Sequence, residues 1–289
     1  MTKQINRKDF IRKSAAGLAG MAFLSKKKLF SKSPSFDIEY RTLGRTGIKV
    51  SPIGMGATRT LEESIVKAAI DQGVNFLDTG RSYANGKNEE MIGNAIKGIR
   101  DRVVIQSKLK FRKNYPAGLE ESLNESLKAL QTDYIDIMLL HGATETEEIN
   151  NEVLMEFFTK AKKSGKIRAC GFSTHRNMAG LTEWNNSSGF YDVIMGAFNH
   201  AGKFVHSRSG WSASWDQESL ISQLTEAHRK KIGFVAMKTA SGGPYSPDEN
   251  TEETYAEALR WILMHDFVAT VAVAMANFSE INENVQAMF

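Results

Sequence analysis

The sequence predicts an α/β fold of the (β/α)8, or TIM-barrel, class. Short apolar segments alternate with amphipathic segments, and the alternation repeats eight times at a spacing of roughly 30 residues. Eight such units fill about 250 residues, which is the usual size of this barrel. A doubly wound open sheet is the alternative, but it usually has fewer strands and a glycine-rich phosphate-binding turn after the first one. Only Gly54-Met55-Gly56 stands at that position in this chain.

Eight segments are predicted to form the strands because each is short, apolar and uninterrupted, as expected of strands that are buried on both faces. They cover residues 50–56, 75–80, 103–109, 135–141, 167–173, 192–199, 233–238 and 268–275. Between them, apolar residues recur with a helical period. The predicted helices cover residues 62–72, 88–97, 119–130, 153–164, 218–231 and 252–265, and a last helix begins near Ser279 with that residue as its N-cap.

Two longer loops, over residues 201–216 and 240–250, interrupt the alternation. The first contains Trp211 and Trp215, and the second is rich in glycine and proline. On a barrel both loops would follow strands and lie at the carboxyl-terminal rim, where active sites are built. We therefore predict a lid or a substrate wall, with a plain surface loop as the alternative. The one cysteine, Cys170, lies in an apolar run and is predicted to be a buried core thiol.

The positive charge of the chain is concentrated at its amino terminus. Residues 1–33 hold nine basic side chains and one acidic one, a net charge of +8, whereas the whole chain has +4. Residues 34–289 therefore carry a net charge of about −4. A mildly acidic body offers no surface for a polyanion, so no nucleic-acid partner is predicted.

Residues 1–33 are predicted to be a targeting segment, separate from a barrel domain over residues 34–289. A basic stretch that includes Arg7 and Lys8 is followed by an apolar run over residues 15–24. That run is too short for a stable membrane span, which takes about 20 apolar residues, but it has the character of a signal-peptide core. The segment resembles a twin-arginine export signal with Lys8 in place of the second arginine. Export to the periplasm is therefore predicted, with a disordered basic tail on a cytoplasmic protein as the alternative.

Polar side chains mark the ends of three successive predicted strands. Asp78 lies at the end of the second strand, and Tyr83 follows in the next turn. Lys108 lies at the end of the third strand and His141 at the end of the fourth. The carboxyl ends of parallel strands meet at one rim of a barrel, so these side chains are predicted to lie together. Each has a structural alternative when taken singly, such as turn capping, but four compatible groups at successive strand ends favour an active site.

An acid, a phenol, an amine and an imidazole make a workable proton-transfer site. A tyrosine has an ordinary pKa of about 10, and it needs a lowered pKa to act as an acid or base near neutrality. A nearby ammonium lowers that pKa by favouring the phenolate, and a carboxylate can hold the ammonium in place. A histidine can donate a hydrogen bond to a carbonyl oxygen and orient it. The chemistry that fits these groups is reduction of a carbonyl, with hydride supplied by a cofactor.

The sequence resembles the aldo-keto reductase superfamily over residues 38–289. The resemblance rests on the segments RTLGRTGIKVSPIGMG, GVNFLDTGRSYANGKNEEMIGNAIKG, IQSKLK, DYIDIMLLHG, GKIRACGFSTH, IGFVAMKT and ALRWILMHDFVATVAVAM, followed by ENVQA. The run LDT-x-x-x-Y, with the later strand-end lysine and LLHG, is its most specific part. The resemblance implies the same (β/α)8 fold that the alternation predicts.

The resemblance also implies a role for each of the four rim residues. Tyr83 would protonate the carbonyl oxygen during reduction. Lys108 would lower the pKa of Tyr83 and pair with Asp78, and His141 would orient the substrate carbonyl. The cofactor would be a nicotinamide dinucleotide, NADP or NAD, bound across the rim. The substrate would be a small carbonyl compound, namely an aldehyde, a ketone or a keto-sugar.

Several candidate cofactor-binding residues differ from those common in the family. Ser173 is followed by Thr174, where an asparagine commonly holds the nicotinamide carboxamide. Met195 aligns with a common glutamine. Met237 aligns with an aromatic residue that often stacks on the nicotinamide ring, and Lys238 follows it. Hydrogen bonds to the carboxamide are therefore expected to come from elsewhere.

The candidate contacts on the adenosine side lie in the last βα unit. They are Asn277, Glu283 and Asn284, with helix capping and solvation as the alternative role. Glu280 stands where NADP-preferring members tend to have an arginine. A carboxylate repels a 2′-phosphate but can accept a hydrogen bond from a ribose hydroxyl. The sequence therefore leans to NAD, or to the use of both dinucleotides.

Two other kinds of function stay open on the sequence alone. A different barrel enzyme is one, although a glycosidase needs paired carboxylates and a metal hydrolase needs closely spaced histidines. A non-catalytic protein that senses a nucleotide on the same fold is the other. The changed residues near the nicotinamide favour the sensor, and the complete set of four rim residues favours the reductase. The sequence does not determine the oligomeric state.

Overall fold

The computed structural model describes residues 38–111, 118–206 and 210–289, and the targeting segment predicted at residues 1–33 lies outside them. The described strands are β1 (Arg41–Thr42), β2 (Lys49–Val50), β3 (Ile53–Gly56), β4 (Phe76–Asp78), β5 (Val104–Leu109), β6 (Ile135–Leu140), β7 (Ile167–Thr174), β8 (Val193–Ala197), β9 (Lys203–Val205), β10 (Ser212–Ser214), β11 (Gly233–Met237) and β12 (Val268–Ala274). The described α-helices are Glu63–Asp71, Lys87–Ala95, Gly118–Leu130, Thr146–Ile149, Glu152–Lys163, Met178–Ser188, Gln217–Arg229, Tyr255–Leu263 and Phe278–Val285.

Eight of the strands close into a parallel barrel, in the order β11–β12–β3–β4–β5–β6–β7–β8. The barrel closes where β12 pairs with β3, and each neighbouring pair is parallel. Helices follow the barrel strands and pack on the outside. The predicted (β/α)8 class is confirmed.

Two apolar clusters stabilise the barrel. One lies between the strands and the surrounding helices, and the other includes residues inside the barrel such as Phe76, Leu139 and Val235. Since alternate residues of a strand face opposite sides, both sets of strand residues are buried. This double burial explains why the strand sequences are continuous apolar runs.

A hairpin of β1 and β2 packs against the barrel strands at their amino-terminal end. Leu43 between its strands is buried in the interior cluster. The turn of the hairpin approaches the start of β11 closely, because a Cβ at Gly44 would lie 2.4 Å from the Gly233 backbone nitrogen.

The prediction of one strand over residues 50–56 is wrong at its start. The barrel strand begins at Ile53, because Pro52 has no N–H to donate to a sheet.

The helix Met178–Ser188 was absent from the predicted elements. Its inner face buries Thr182, Asn185 and Asn186 beside Met178 and Leu181. Polar residues on the buried face hide the apolar period that indicates an amphipathic helix. The helix could therefore be recognised only from its position between two strands.

Two further details differ from the predictions. Residues 201–216 were predicted as a long loop, but they contain the antiparallel hairpin of β9 and β10. The last helix begins at Phe278, and Asn277 rather than Ser279 is its N-cap, since the Asn277 side chain accepts from the Glu280 N–H.

Cys170 is buried, as predicted, and burial raises the pKa of its thiol to about 12.

Candidate active site

Asp78 and Lys108 form a buried ion pair at the carboxyl-terminal rim of the barrel. They lie at the ends of β4 and β5, which pair in parallel. The Lys108 Nζ lies 2.5 Å from Asp78 Oδ1 and donates a second hydrogen bond to the Thr79 carbonyl at 2.6 Å. Lys108 is 2% exposed, so its charge must be balanced by Asp78 rather than by water. The structure brings these two predicted residues together.

Gln106 is a further polar residue beneath the rim that sequence analysis missed. Its Nε2 donates to Asp78 Oδ1 at 2.7 Å and lies 3.3 Å from Met195 Sδ. The signal for it was its position two residues before Lys108, since alternate residues of a strand face the same side. Met195, predicted as a cofactor contact, is 2% exposed and belongs to the cluster inside the barrel. It therefore lies below the rim, beside the ion pair.

Tyr83 and His141 face each other above this ion pair. Tyr83 begins the short 3-10 helix Tyr83–Gly86 after β4, and His141 directly follows β6. Their ring centroids are 5.8 Å apart at an interplanar angle of 77°. The Lys108 Nζ lies 4.8 Å from the Tyr83 ring centroid, and Ser82 Oγ lies 3.4 Å from His141 Nδ1. All four residues predicted as catalytic therefore lie at one rim.

The pKa of Tyr83 is raised above its ordinary value, because burial of the phenol disfavours the phenolate. The Lys108 ammonium opposes this effect, and the Asp78 carboxylate adds to it. The expectation of a lowered pKa is wrong in its net direction, since it considered the ammonium and left out desolvation. Tyr83 therefore keeps its proton at neutral pH, in the form that can donate it.

The neighbouring groups have clear charge states at neutral pH. Burial, with the charges of Lys108 and Lys110 adding to it, lowers the pKa of His141 to about 4, so its imidazole is neutral. Burial alone would lower the pKa of Lys108, but Asp78 and Tyr83 raise it by more, and the net direction is upward. The rim therefore presents a protonated phenol between a cation and a neutral imidazole.

The hairpin of β9 and β10 forms an aromatic wall next to the rim. The ring of Trp211 lies 5.3 Å from His175 and 5.0 Å from Phe204, and the Arg176 guanidinium carbon lies 5.2 Å from the Trp211 ring centroid. Burial, with the charge of Lys238 adding to it, lowers the pKa of His175 to about 3. His175 and Arg176 are not among the residues predicted from the sequence, although both directly follow the end of β7.

Trp215 and Trp211 have different environments. The Trp215 indole N–H donates to Gln217 Oε1 at 2.5 Å, at the start of the helix Gln217–Arg229. Trp211 contacts rim residues instead. Of the two predicted tryptophans, Trp211 is therefore the one that lies against rim residues.

The hydroxyls of Ser173 and Thr174 are both engaged by neighbouring backbone groups. Ser173 Oγ accepts from the Gly142 N–H at 2.9 Å. Thr174 Oγ1 donates to the Arg176 carbonyl at 2.5 Å and accepts from the Arg176 N–H at 3.2 Å. Both residues are buried. They support the turns after β6 and β7 rather than present free donors to a cofactor.

Lys238 is a half-buried cation at the rim. It directly follows β11, has φ +57°, and its Nζ lies 5.2 Å from the Phe204 ring centroid. Burial lowers its pKa, and among the described residues no carboxylate pairs with it. Met237, the residue before it, is mostly buried inside the barrel. A half-buried ammonium without a paired anion fits a bound anion, so the rim residues fit a dinucleotide.

Of the candidate residues on the adenosine side, Asn277 caps the helix Phe278–Val285, and Glu283 and Asn284 lie within that helix. Asn277 Oδ1 accepts from the Glu280 N–H at 2.9 Å, and Glu280 Oε2 accepts from the Ala276 N–H at 2.7 Å. Asn284 is buried and donates to a carbonyl of β12 at 3.2 Å. Glu283 is exposed. Asn277 thus has the capping role that the sequence left open as its alternative, and Asn284 has a different structural role, because it joins the last helix to β12.

The described ranges contain no cluster of histidine, cysteine, aspartate and glutamate side chains that could hold a metal ion. No helix within these ranges is long and apolar enough to cross a membrane. The strands β6 and β11 are followed by His141 and Lys238, so neither strand end supplies one of the paired carboxylates that a glycosidase needs.

The chain matches the Aldo/keto reductase family over residues 54–257. It is also similar to the uncharacterized oxidoreductase YqkF of Bacillus subtilis (strain 168). The two are 26% identical over 281 residues, which cover 86% of this chain and 90% of that protein.

Solved structures share the fold. The holo form of aldo-keto reductase AKR11C1 from Bacillus halodurans has a TM-score of 0.69 and 24% identity, covering 86% of this chain and 90% of that one. An aldo/keto reductase from Klebsiella pneumoniae, solved in complex with NADP and acetate, has a TM-score of 0.66 and 22% identity, covering 87% of this chain and 90% of that one.

Proposed function

The chain belongs to the aldo/keto reductase family and is an NAD(P)-dependent oxidoreductase, and on this premise we propose that it interconverts a carbonyl compound and its alcohol. The substrate class is an aldehyde, a ketone or a keto-sugar. The observation that carries the proposal is the placement of the Tyr83 phenol between the Lys108 ammonium and the His141 ring.

Tyr83 is the proton donor in the direction of reduction. A bound dinucleotide supplies hydride to the carbonyl carbon. Tyr83, protonated at neutral pH because of its burial, donates its proton to the carbonyl oxygen as negative charge develops there. The Lys108 ammonium stabilises the phenolate that remains, and Asp78 holds the ammonium in place. In the reverse direction the phenolate accepts the proton of the alcohol.

His141 orients the carbonyl oxygen toward Tyr83. With a pKa of about 4, its imidazole is neutral at neutral pH and carries one N–H. The Ser82 hydroxyl lies 3.4 Å from Nδ1, and we assign the ring proton to Nε2, the tautomer in which this hydroxyl donates to Nδ1. The Nε2–H then donates to the substrate oxygen without adding a second buried charge next to Lys108.

For the cofactor we propose NAD, or the use of both dinucleotides. Glu280 places a carboxylate at the start of the helix Phe278–Val285, where it accepts from the Ala276 N–H. A carboxylate at this position repels a 2′-phosphate. The Klebsiella pneumoniae reductase was solved with NADP, so both preferences have to be measured as kcat/KM. We expect Glu280→Arg to raise kcat/KM with NADPH, and a wild-type preference for NADPH above about tenfold would contradict the proposal.

The catalytic proposal is tested by turnover of carbonyl compounds with NADH and NADPH. Tyr83→Phe is the test variant and Tyr191→Phe is the matched control, because the buried Tyr191 hydroxyl donates to the Ile149 carbonyl at 2.7 Å, away from the rim. Removing the proton donor should lower kcat by about 10²–10⁴-fold and leave dinucleotide binding intact. The control should keep the wild-type kcat.

Tight dinucleotide binding without turnover of any carbonyl compound would contradict the proposal. That result would favour a non-catalytic nucleotide sensor on the same fold. The engaged hydroxyls of Ser173 and Thr174 favour this second candidate, because they leave fewer free partners for the carboxamide.

For the amino-terminal segment we propose export to the periplasm. The support is the sequence of residues 1–33, in which Arg7 and Lys8 precede an apolar run over residues 15–24. Expressed in a bacterium with a periplasm, the full chain should be released by osmotic shock, and the double variant Arg7→Gln with Lys8→Gln should stay in the cytoplasm. Recovery of both proteins from the cytoplasm alone would contradict export.

A further inference from the structure

The loop that presents Tyr83 has a left-handed backbone that one of its residues, Ala84, disfavours. Ala84 has φ 48° and ψ 37°, Asn85 has φ 54° and ψ 41°, and Gly86 has φ 89°. Left-handed geometry suits glycine and is tolerated by asparagine, but it crowds the Cβ of an alanine. Because local preference does not hold this loop, contacts with the rest of the barrel must hold it.

The side chain of Arg81 crosses the far end of the loop. A Cβ at Gly86 would lie 1.4 Å from Arg81 Nη2, so the guanidinium lies directly against the Gly86 backbone. On its other side, Arg81 Nη1 lies 2.5 Å from Glu89 Oε2. Arg81 precedes Tyr83 and Glu89 belongs to the following helix, so the ion pair closes the loop from one end to the other.

Glu89 is a buried carboxylate that proton transfer to the substrate does not use. It is 0% exposed, and its Oε1 accepts from Ser107 Oγ at 2.6 Å. Ser107 directly precedes Lys108, and the Arg81 N–H donates to the Lys108 carbonyl at 3.0 Å. The contacts therefore tie the loop of Tyr83 to the strand of the lysine that it must face.

The guanidinium has another carboxylate within reach. Glu125 Oε2 lies 3.8 Å from Arg81 Nε, and its side chain is 58% exposed. If Glu89 were neutral, Arg81 could turn outward to Glu125 and leave the Gly86 backbone. The buried partner is thus what keeps the guanidinium across the loop.

We propose that Arg81 and Glu89 are positioning residues for Tyr83. Neither lies between the groups that handle the proton. Their ion pair holds the left-handed loop closed, so that the phenol stays beside the Lys108 ammonium and opposite His141. The effect on turnover rests on the function proposed above, whereas the effect on the position of Tyr83 does not.

The chain offers a matched control pair at the opposite end of the barrel. Arg100 Nη2 lies 2.8 Å from Asp136 Oδ2, and the side chains are 18% and 1% exposed, compared with 22% and 0% for Arg81 and Glu89. Asp136 is the second residue of β6, so it lies far along the strand from His141. Disrupting the control pair should change stability without moving Tyr83.

The position of Tyr83 can be measured without turnover. The full-length protein is labelled with 3-fluorotyrosine, and the 19F resonance of Tyr83 is assigned from the spectrum of Tyr83→Phe. In Arg81→Lys and Glu89→Gln we expect this resonance to shift and its titration midpoint to change by about 0.5 pH unit or more, because both the burial of the phenol and its distance from the Lys108 charge change. Arg100→Lys and Asp136→Asn should leave both unchanged. Arg81→Lys keeps the charge but cannot reproduce the flat, forked contact of a guanidinium, so it tests the proposal even if Glu89→Gln does not fold.

Turnover provides the second measurement. A displacement of about 1 Å at a reacting group lowers kcat by about 100-fold, and we expect a loss of this size in Arg81→Lys and Glu89→Gln. The KM for the dinucleotide should stay within about twofold, since Lys238 and the other cofactor residues lie on other strands.

The two measurements separate the two proposals. If Tyr83→Phe abolishes turnover but Arg81→Lys and Glu89→Gln change stability alone, as the control variants do, the positioning role is overturned and the catalytic role stands. If the Tyr83 resonance moves in these variants while Tyr83→Phe retains full turnover, the positioning role stands and the catalytic role of Tyr83 is overturned.

Discussion

At the amino-terminal end of the barrel, two buried aspartates are surrounded by cations and backbone donors. Asp136 accepts from Arg168 at 2.6 Å, from Arg100 at 2.8 Å and from the Ile105 N–H at 2.9 Å. Asp192 likewise pairs with Arg45 and Lys162 and accepts from the Cys170 N–H. These carboxylates have several donors each, and their cations reach solvent.

At the carboxyl-terminal end, the pairing is less complete. Asp78 accepts from Lys108 and Gln106, and the Lys108 cation is itself buried. Gln106 Oε1 is buried without a hydrogen-bond partner among the described residues. Lys238 adds a half-buried cation that pairs with no carboxylate of the described chain.

The difference indicates how the rim ion pair, which we propose to be catalytic, departs from a structural one. Both ends bury a carboxylate with a cation, and burial makes such a pair costly to break. At the amino-terminal end the further neighbours are backbone N–H groups and, beside Asp192, the Cys170 thiol, whose pKa burial raises to about 12, so their protons stay in place at neutral pH. At the other end the neighbour is Tyr83, whose proton we propose to move during turnover under the influence of the ion pair.

Breaking the ion pair at the rim should have the largest effect. Lys108→Met removes the charge that stabilises the Tyr83 phenolate and leaves Asp78 buried without its cation. We expect the free energy of unfolding to fall by about 3–5 kcal/mol and kcat to fall by at least about 100-fold. Urea denaturation and single-turnover kinetics measure the two losses. A variant that folds normally and retains more than about a tenth of the wild-type kcat would contradict the role of Lys108.

Breaking an ion pair at the other end should affect stability alone. Asp136→Asn removes the negative charge shared by Arg100 and Arg168, and both arginines can turn toward solvent because their side chains are 18% and 48% exposed. We expect the free energy of unfolding to fall by about 3 kcal/mol, with kcat within about twofold of wild type. A large loss of kcat in a protein that stays folded would show that the two ends are coupled.

The pH dependence of turnover should reflect the rim and not the amino-terminal end. Reduction needs protonated Tyr83, and burial raises its pKa, so the rate should stay constant across neutral pH and fall only above about pH 10. Oxidation of the alcohol needs the phenolate, so its rate should rise over the same range. On the acid side, the rate should fall only as His141 becomes protonated near its pKa of about 4. A midpoint near neutrality, in either direction, would contradict these assignments.

The smallest effect is expected beneath the rim. Gln106→Leu removes one hydrogen bond to Asp78 but also removes a buried carbonyl oxygen without a partner. Each contribution is about 1–3 kcal/mol and they have opposite signs, so the net change in the free energy of unfolding should stay within about 1 kcal/mol. Thermal unfolding checks this, and a loss much larger than the expected limit would mean that the amide is essential to the ion pair.

Much of the fold could be predicted from the sequence, because parallel strands that are buried on both faces appear as short, uninterrupted apolar runs. The barrel strands are apolar on both faces, so β5, β6 and β12 could be recognised within a residue or two. The helix Met178–Ser188 and the hairpin of β9 and β10 show no comparable apolar pattern in the sequence. Their buried polar side chains and short strands depend on partners from distant parts of the chain.

Part of the candidate site could also be predicted from the sequence. Asp78, Tyr83, Lys108 and His141 could be grouped because each lies at or near the end of a recognisable strand. Residues that act through side-chain contacts between separate segments could not be grouped from the sequence, because no pattern of spacing connects them. Arg81 and Glu89 look like ordinary surface charges in the sequence, and only the folded chain brings them together.

The sequence by itself determined the order of the strands along the chain and which side chains follow each one. Both can be read from the spacing of apolar and polar residues. The tertiary structure alone decided the charge state of the rim. The pKa of Tyr83 depends on how completely other segments exclude water from the phenol and how close Lys108 and Asp78 approach it. The desolvation of the Tyr83 phenol depends on which segments pack around it, and the sequence alone does not show which segments these are.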